Sequence, residues 1–216
     1  MRAGNGSKLR DYSVELICNA EKEPERLKGL WPLIKLFSIT PSYYVDKTNV
    51  QQHPLYSRFS AQVTNSERSL TINHVLNLDK NRGKYVLMLE SDVKPQVELD
   101  VLKKEIDKVV QQMKDTNVDI VFLGRTHLPG ADTSNYEEVA DTLYKTGNSR
   151  CTDSYIISPG CINKYLEYVN SISTNQPADL NYDNFFKAKP QVVACWKIPE
   201  LFDQDKSFKT TLTNRS

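Results

Sequence analysis

The chain has 216 residues, of which 39% are apolar and 25% charged, and its net charge is about +1. That length fits one domain with a central sheet covered by helices on both faces. The near-neutral balance excludes a global field that would draw nucleic acid or a membrane surface, and no run approaches the roughly 18 apolar residues that span a bilayer.

Residues 1–11 are polar and glycine-containing and predict a disordered N-terminal segment. Tyr12 to Asn19 reads as a first strand carrying Val14, Leu16 and Ile17. A helix follows with Pro24 in its first turn and Leu27, Leu30, Trp31 and Ile34 at helical spacing. Pro32 falls inside that pattern, where it must kink the helix or restart it. Phe37 to Val45 reads as a second strand, with Pro41 placing it at an edge or bulge, and Asp46 to Ser60 as a loop. Ser66 is placed to cap a helix bearing Leu70, His74, Val75 and Leu78 on one face and ending before Gly83.

Lys84 to Pro95 is the stretch around which the chain is organised. Tyr85 to Leu89 is an unbroken apolar run of strand length, the pattern of a strand buried on both faces of a parallel sheet. It stops at Glu90 and Asp92, two acids separated by one small residue. Residues two apart in extended backbone point to the same side, so both carboxylates converge beyond the strand end. Open α/β sheets bind ligands at that end, and paired carboxylates there suit a hard divalent cation that also holds phosphates. The plainer reading is a charged loop after a buried strand.

Beyond Pro95 a long amphipathic helix carries Leu102, Ile106, Val109, Val110 and Met113 at the 3.6 period. Val118 to Leu123 is another buried strand, closed by Gly124. Pro129 to Arg150 is weakly patterned and rich in small polar residues, as in a mobile lid. Ser154 to Ile157 is a short strand, and Ser158-Pro159 opens a helix with Ile162, Tyr165, Leu166 and Val169 on its buried side. Asp179 to Phe186 reads as a short helix, Val192 to Ile198 as the last strand, and 209–216 as a polar tail. The alternation of strands and helices predicts a single-domain α/β sandwich, residues 12–208, with a mostly parallel central sheet. Cys18, Cys151, Cys161 and Cys195 form no Cys-x-x-Cys pair, and Cys18 and Cys195 sit in apolar runs as buried thiols do. With a start that lacks the apolar core of a signal peptide, they predict a reducing, cytoplasmic setting, in which the sequon Asn214-Arg215-Ser216 is idle. No glycine-rich dinucleotide fingerprint or P-loop is present, so a nucleotide would be held through its diphosphate and a metal.

Several of these segments, in order, resemble glycosyltransferase family 25, the lipopolysaccharide and collagen-type sugar transferases. Glu23-Pro24-Glu25-Arg26 is similar to that family's turn after the first strand. Ser69 to Val75, ending Asn73-His74-Val75, resembles its Ser-His helix, and Leu89-Glu90-Ser91-Asp92-Val93 its Leu-Glu-Asp-Asp-Val. Val118 to Gly124 and Tyr155 to Leu166 resemble the strand and the strand-helix unit that follow. Tyr182-Asp183-Asn184-Phe185-Phe186 is similar to Val-Asp-x-Phe-Leu, and Gln204-Asp205-Lys206-Ser207 to a closing Gln-x-x-Ser. The likeness covers residues 12–208. It departs at Ser91, which stands where the family has its middle acid, and at Asn19-Ala20-Glu21, where the family continues Asn-Leu-Asp.

The resemblance implies a GT-A fold and metal-dependent, inverting transfer of a hexose, galactose or glucose, from a nucleoside diphosphate sugar to a hydroxyl of a glycan or protein acceptor. The cation would be Mn²⁺ or Mg²⁺, with Asp92 as direct ligand and Glu90 binding it through water or contacting the donor's ribose. Asp183 is the candidate general base, against a plainer role as a helix N-terminal acid beside the macrodipole. Asp179, four residues earlier on the same face, is the fallback. His74 is either a hydrogen-bonded core histidine or a donor contact. Arg26 is either a diphosphate or carboxylate clamp or an exposed helix-start residue, and Gln204 is a donor or metal-shell contact by resemblance alone. Two readings compete with a transferase: a silent module that binds glycans or nucleotide sugars, favoured by Ser91, and another metal-dependent nucleotidyl or phosphoryl transferase.

Overall fold

A computed structural model describes residues 11–124, 133–149 and 152–207. Strand β1 (Tyr12–Ile17) leads into two short helices, α1 (Pro24–Gly29) and α2 (Trp31–Phe37). Pro32 restarts the helix, sitting in the first turn of α2, where its missing N–H costs nothing. The expected second strand over Phe37 to Val45 does not form. Phe37 ends α2, Ser38 turns left-handed with φ of 49°, and only Ser42 reaches β1, through an isolated parallel bridge to Ile17. Helix α3 (Asn65–Lys80) follows. Its cap is Thr64, not Ser66: the Thr64 hydroxyl accepts from Glu67 N while the Glu67 carboxylate accepts from Thr64 N, a reciprocal capping box.

Next come β2 (Tyr85–Glu90), β3 (Val93–Pro95), α4 (Leu99–Thr116) and β4 (Ile120–Phe122). Within the segment expected to be a lid, residues 133–149 build a hairpin of β5 (Glu138–Ala140) and β6 (Leu143–Thr146); residues 129–132 and 150 lie outside the described residues. Strand β7 (Ser154–Ile157) and helix α5 (Pro159–Ser171) follow, with Ser158 capping α5 through Cys161 N, and then α6 (Ala178–Ala188), β8 (Ala194–Lys197) and β9 (Phe202–Gln204). The segments 1–10 and 208–216, whose disorder and polarity were read from sequence, fall outside the described residues, as does Cys151. Cys18, Cys161 and Cys195 are buried free thiols, and burial pushes the Cys18 thiol up to about 11. Among the described residues no helix is long and apolar enough to cross a membrane.

The main sheet has seven strands in the order β1-β2-β7-β4-β8-β6-β5, and β3 and β9 form a separate antiparallel pair. Its neighbours β1–β2 and β4–β8 are parallel, whereas β2–β7, β7–β4, β8–β6 and β6–β5 are antiparallel. The sheet is therefore mixed, not mostly parallel. The physical reason is that β7 runs backwards at the centre of the sheet and is buried on both faces, as are β2 and β4. A continuous apolar run reports two-sided burial and carries no information on direction.

Side chains alternate between two cores, as a period of two requires. Val86, Met88, Ile120, Phe122, Tyr155 and Trp196 face α3, α5 and α6. Leu87, Leu89, Val121, Ile156 and Cys195 face α2 and α4, where Leu33, Phe37, Leu102, Ile106, Val109 and Met113 close the layer. Leu87 is fully buried. Its truncation in Leu87→Ala is expected to lower stability by about 2–5 kcal/mol, read as a shift of the denaturation midpoint; an unchanged midpoint would remove β2 from the core.

Candidate functional site

Strands β1 and β2 run in register, Ile17 beside Glu90, so both carboxyl ends open at one place. The segment after α2 closes this place from the side. It is fastened to β1 by Cys18 N donating to Ser42 O at 3.2 Å and Ser42 N to Leu16 O at 2.9 Å. From α3, Asn73 Oδ1 accepts from Tyr44 N at 2.6 Å, while Asn73 Nδ2 and Ser69 Oγ donate to Val45 O at 2.8 and 2.6 Å. Such buried side-chain amides supply the pairing that a sheet ladder would otherwise give. The result is a rigid wall made by residues 42–46 without a strand.

Between that wall, α1 and the end of β2 lies a cleft of about 230 Å³. Its apolar lining is Ile17, Tyr43 and Leu70, its mixed-charge lining Lys22, Arg26 and Lys47 with Glu23 and Asp46, and its acidic end Glu90 and Asp92 with Ser91 between them. The volume is below the roughly 300–1,000 Å³ of most small-ligand sites, so a large ligand would extend out of it. Asp46 braces the mixed-charge lining, accepting from Lys22 Nζ at 2.8 Å and from Asn19 Nδ2 at 3.1 Å. Burial works to raise the Asp46 carboxyl, but hydrogen bonds from Lys22 and Thr48 outweigh it and hold the group at about 2.

The two acids differ in environment. Glu90 Oε1 accepts from His74 Nε2 at 3.0 Å and from Thr152 Oγ1 at 3.1 Å, and Glu90 N donates to Asp153 O at 2.8 Å. Asp153 is itself packed so closely against Gly124 that a β-carbon there would collide with its carboxylate. Asp92 Oδ1 is buried with no hydrogen-bond partner among the described residues. Burial, then the neighbouring Glu90 charge, push the Asp92 carboxyl up to about 6, while Arg26 opposes the rise. A buried, unmatched carboxylate oxygen beside a second carboxylate is electrostatically expensive, and a cation placed there removes both costs.

The structure brings Arg26, Glu90 and Asp92 together. Arg26, expected as an exposed helix-start residue or an anion clamp, is 9% exposed and lines the cleft. One guanidinium nitrogen donates to Ser91 Oγ at 2.9 Å and lies 3.6 Å from Glu23 Oε1. His74 is fully buried and reaches the cleft through Glu90, its other ring nitrogen bonding to Tyr155 Oη at 2.9 Å. Gln204 sits opposite Val93 in the β3–β9 pair with its side chain exposed, and Asp205 N donates to Asp92 O at 2.6 Å. The strand pair thus fixes the backbone of the acidic turn.

Asp179 and Asp183 lie on α6, not on the cleft wall. Asp183 Oδ1 accepts from Ser149 N at 2.6 Å and from Ser149 Oγ at 2.9 Å, tying the end of the hairpin to α6. Asp179 Oδ1 accepts from Leu180 N at 2.9 Å, and its carbonyl accepts from Ser149 Oγ at 2.8 Å. Sequence reasoning passed over Lys22, Asp46, Thr152 and Tyr155. For Asp46 a signal existed: Asp46-Lys47-Thr48 is an Asx-turn pattern, and Asp46 Oδ1 accepts from Thr48 N at 2.9 Å. The others are joined to the site across long sequence separations that no local pattern marks.

Among the described residues no group of three or more His, Cys, Asp or Glu is arranged to hold a metal. Two carboxylates are enough only for a cation that takes its remaining ligands from water and substrate phosphates, the usual Mg²⁺ arrangement. The orphaned Asp92 oxygen fits such a cation. No protein-family model matches this chain, and no curated protein matches it as a relative.

Proposed function

We propose that the cleft binds a nucleoside diphosphate sugar together with Mn²⁺ or Mg²⁺, and that the protein transfers the hexose, galactose or glucose, to an acceptor hydroxyl of a glycan or protein with inversion. The fold would then be a GT-A variant with a mixed sheet. The observation that carries this reading is the acid pair at the end of β2, with a buried, unmatched oxygen on Asp92 and a carboxyl raised to about 6. Asp92 and Glu90 would hold the cation, which when bound neutralises the leaving diphosphate. Lys22, Arg26 and Lys47 are the lining cations that would meet the same phosphates, Lys22 being paired with Asp46 and Arg26 with Glu23. Ile17, Tyr43 and Leu70 offer an apolar surface for the base or the sugar. Asp183 is the proposed general base on the acceptor side.

Isothermal titration against uridine and guanosine diphosphate sugars, with and without Mn²⁺, tests the reading. Binding of one donor that requires the cation is expected; absence of binding to either with Mn²⁺ present overturns it. A second reading, a nucleotide-sugar-binding module without turnover, is favoured by Ser91, which stands between the acids and is engaged by Arg26 instead of adding a third carboxylate. Cation-dependent donor binding with neither transfer nor hydrolysis of the sugar would select it.

A further inference from the structure

On the far side of Glu90 a line of hydrogen bonds runs through the core. Tyr182 Oη donates to Tyr155 Oη at 3.1 Å, Tyr155 Oη lies 2.9 Å from His74 Nδ1, and His74 Nε2 lies 3.0 Å from Glu90 Oε1. All three ring residues are fully buried. Elements α6, β7, α3 and β2 each supply one member.

The direction of this line follows from counting protons. A phenol has one proton and accepts through its lone pairs. Tyr182 gives its proton to Tyr155, and burial holds both phenols in their protonated form by raising them well above their ordinary value. The proton of Tyr155 is then directed at His74 Nδ1. A ring nitrogen that accepts bears no proton, so in the neutral imidazole the hydrogen is on Nε2 and is donated to Glu90. The second oxygen of Glu90 has no hydrogen-bond partner among the described residues.

We propose that Tyr155 and Tyr182 are positioning residues for the acid pair: they hold the His74 ring through Nδ1 with Nε2–H aimed at Glu90, and His74 with Thr152 pins Glu90 Oε1 so that the other oxygen stays available to the cleft. Groups that hold a ligating carboxylate from behind tune metal affinity as strongly as many ligands do. The relay stands on hydrogen-bond geometry alone; its effect on a cation rests on the function proposed above. It also gives α6 a line to the cleft, because Tyr182 precedes Asp183 on that helix.

The test reads the ¹⁵N shifts of the His74 ring and the affinity for Mn²⁺ alone, followed by water-proton relaxation, in the full chain. With 3 histidines in the sequence the ring signals are few enough to assign. The parent is expected to show Nε2 protonated and Nδ1 accepting. Tyr155→Phe keeps the ring and removes the donor, so the Nδ1 shift should move to that of a nitrogen without a hydrogen bond while Nε2–H stays on Glu90, and Mn²⁺ affinity should fall about 10–100-fold. Tyr182→Phe should move both readouts the same way by less, and it decides the matter if Tyr155→Phe does not fold. Tyr165→Phe is the control, since its ring stacks on Tyr182 at a centroid distance of 4.2 Å without joining the line; it should leave both readouts unchanged. An Nδ1–H tautomer in the parent, or relay variants that match Tyr165→Phe in both readouts, would overturn the proposal. An Nδ1 shift that moves in Tyr155→Phe while the parent binds no Mn²⁺ supports the relay and rejects the cation reading of the cleft.

Discussion

Asp92→Asn is expected to make the cation-free protein more stable and, in the same step, to abolish cation-dependent donor binding. The carboxyl is raised from its ordinary 3.8 to about 6 by burial and by Glu90. A raised carboxyl means that the folded state disfavours the charge, so the parent loses stability as pH rises from about 4 to 6 and the whole penalty is present above 6. At pH 7 to 8 the neutral amide should therefore stabilise by about 1–3 kcal/mol, the upper end being the full shift at about 1.4 kcal/mol per unit. The advantage should shrink below pH 6 and vanish well below pH 4, where the parent is protonated folded or unfolded. Saturating Mn²⁺ and nucleoside diphosphate reverse the order. A ligand at a hundredfold excess over its Kd stabilises by about 2.7 kcal/mol, and only the parent retains the charge that draws the cation. Denaturation midpoints across pH, with and without Mn²⁺, measure both signs at once. Equal midpoints at pH 8 would show that Asp92 is solvated, and donor affinity equal to the parent's in Mn²⁺ would remove it from the cation site.

The elements legible in the sequence are those whose signal is local. The run Tyr85 to Leu89, the helical stripe Leu102 to Met113 and the Ser158-Pro159 helix start all lie where their patterns place them. Strand direction was not legible, because the central antiparallel strand β7 is as thoroughly buried as a parallel one. Phe37 to Val45 reads as a strand from its apolar residues, Ile39 and Val45 among them, yet in the wall at 42–46 the backbone groups of Tyr44 and Val45 are met by Asn73 and Ser69 on α3. Tertiary side-chain bonds replace the ladder, and no periodicity reports them. Of the site, the Glu90/Asp92 pair was legible because both acids come from one strand end. The His74–Tyr155 contact spans 81 residues in sequence and the Thr152–Glu90 contact 62, so these emerge only from the packed sheet.

Transfer is expected to fall by about 10²–10⁴-fold in Asp183→Asn, the usual cost of losing a general base, with donor affinity and stability close to the parent's. The structure makes this substitution unusually clean. Ser149 N and Oγ both donate to the one oxygen Oδ1, and the asparagine carbonyl can accept both, so the tether between hairpin and α6 survives while the base is lost. Asp183→Ala also removes the acceptor of Ser149 N, and should cost about 1–3 kcal/mol of stability through that one unpaired donor, Ser149 Oγ keeping the Asp179 carbonyl. A carboxylate that serves only as tether would show the opposite pattern: Asn harmless to transfer, Ala harmful to stability. Ser149, bonded to Asp183, and Thr152, bonded to Glu90, are three residues apart, which limits their separation to roughly 11 Å of extended chain. Asp179→Asn is the matched comparison, since Asp179 lies one turn earlier and its side chain bonds only Leu180 N among the described residues. Parental transfer in Asp183→Asn with loss in Asp179→Asn would move the base role to Asp179. Parental rates in both variants would place the base on neither.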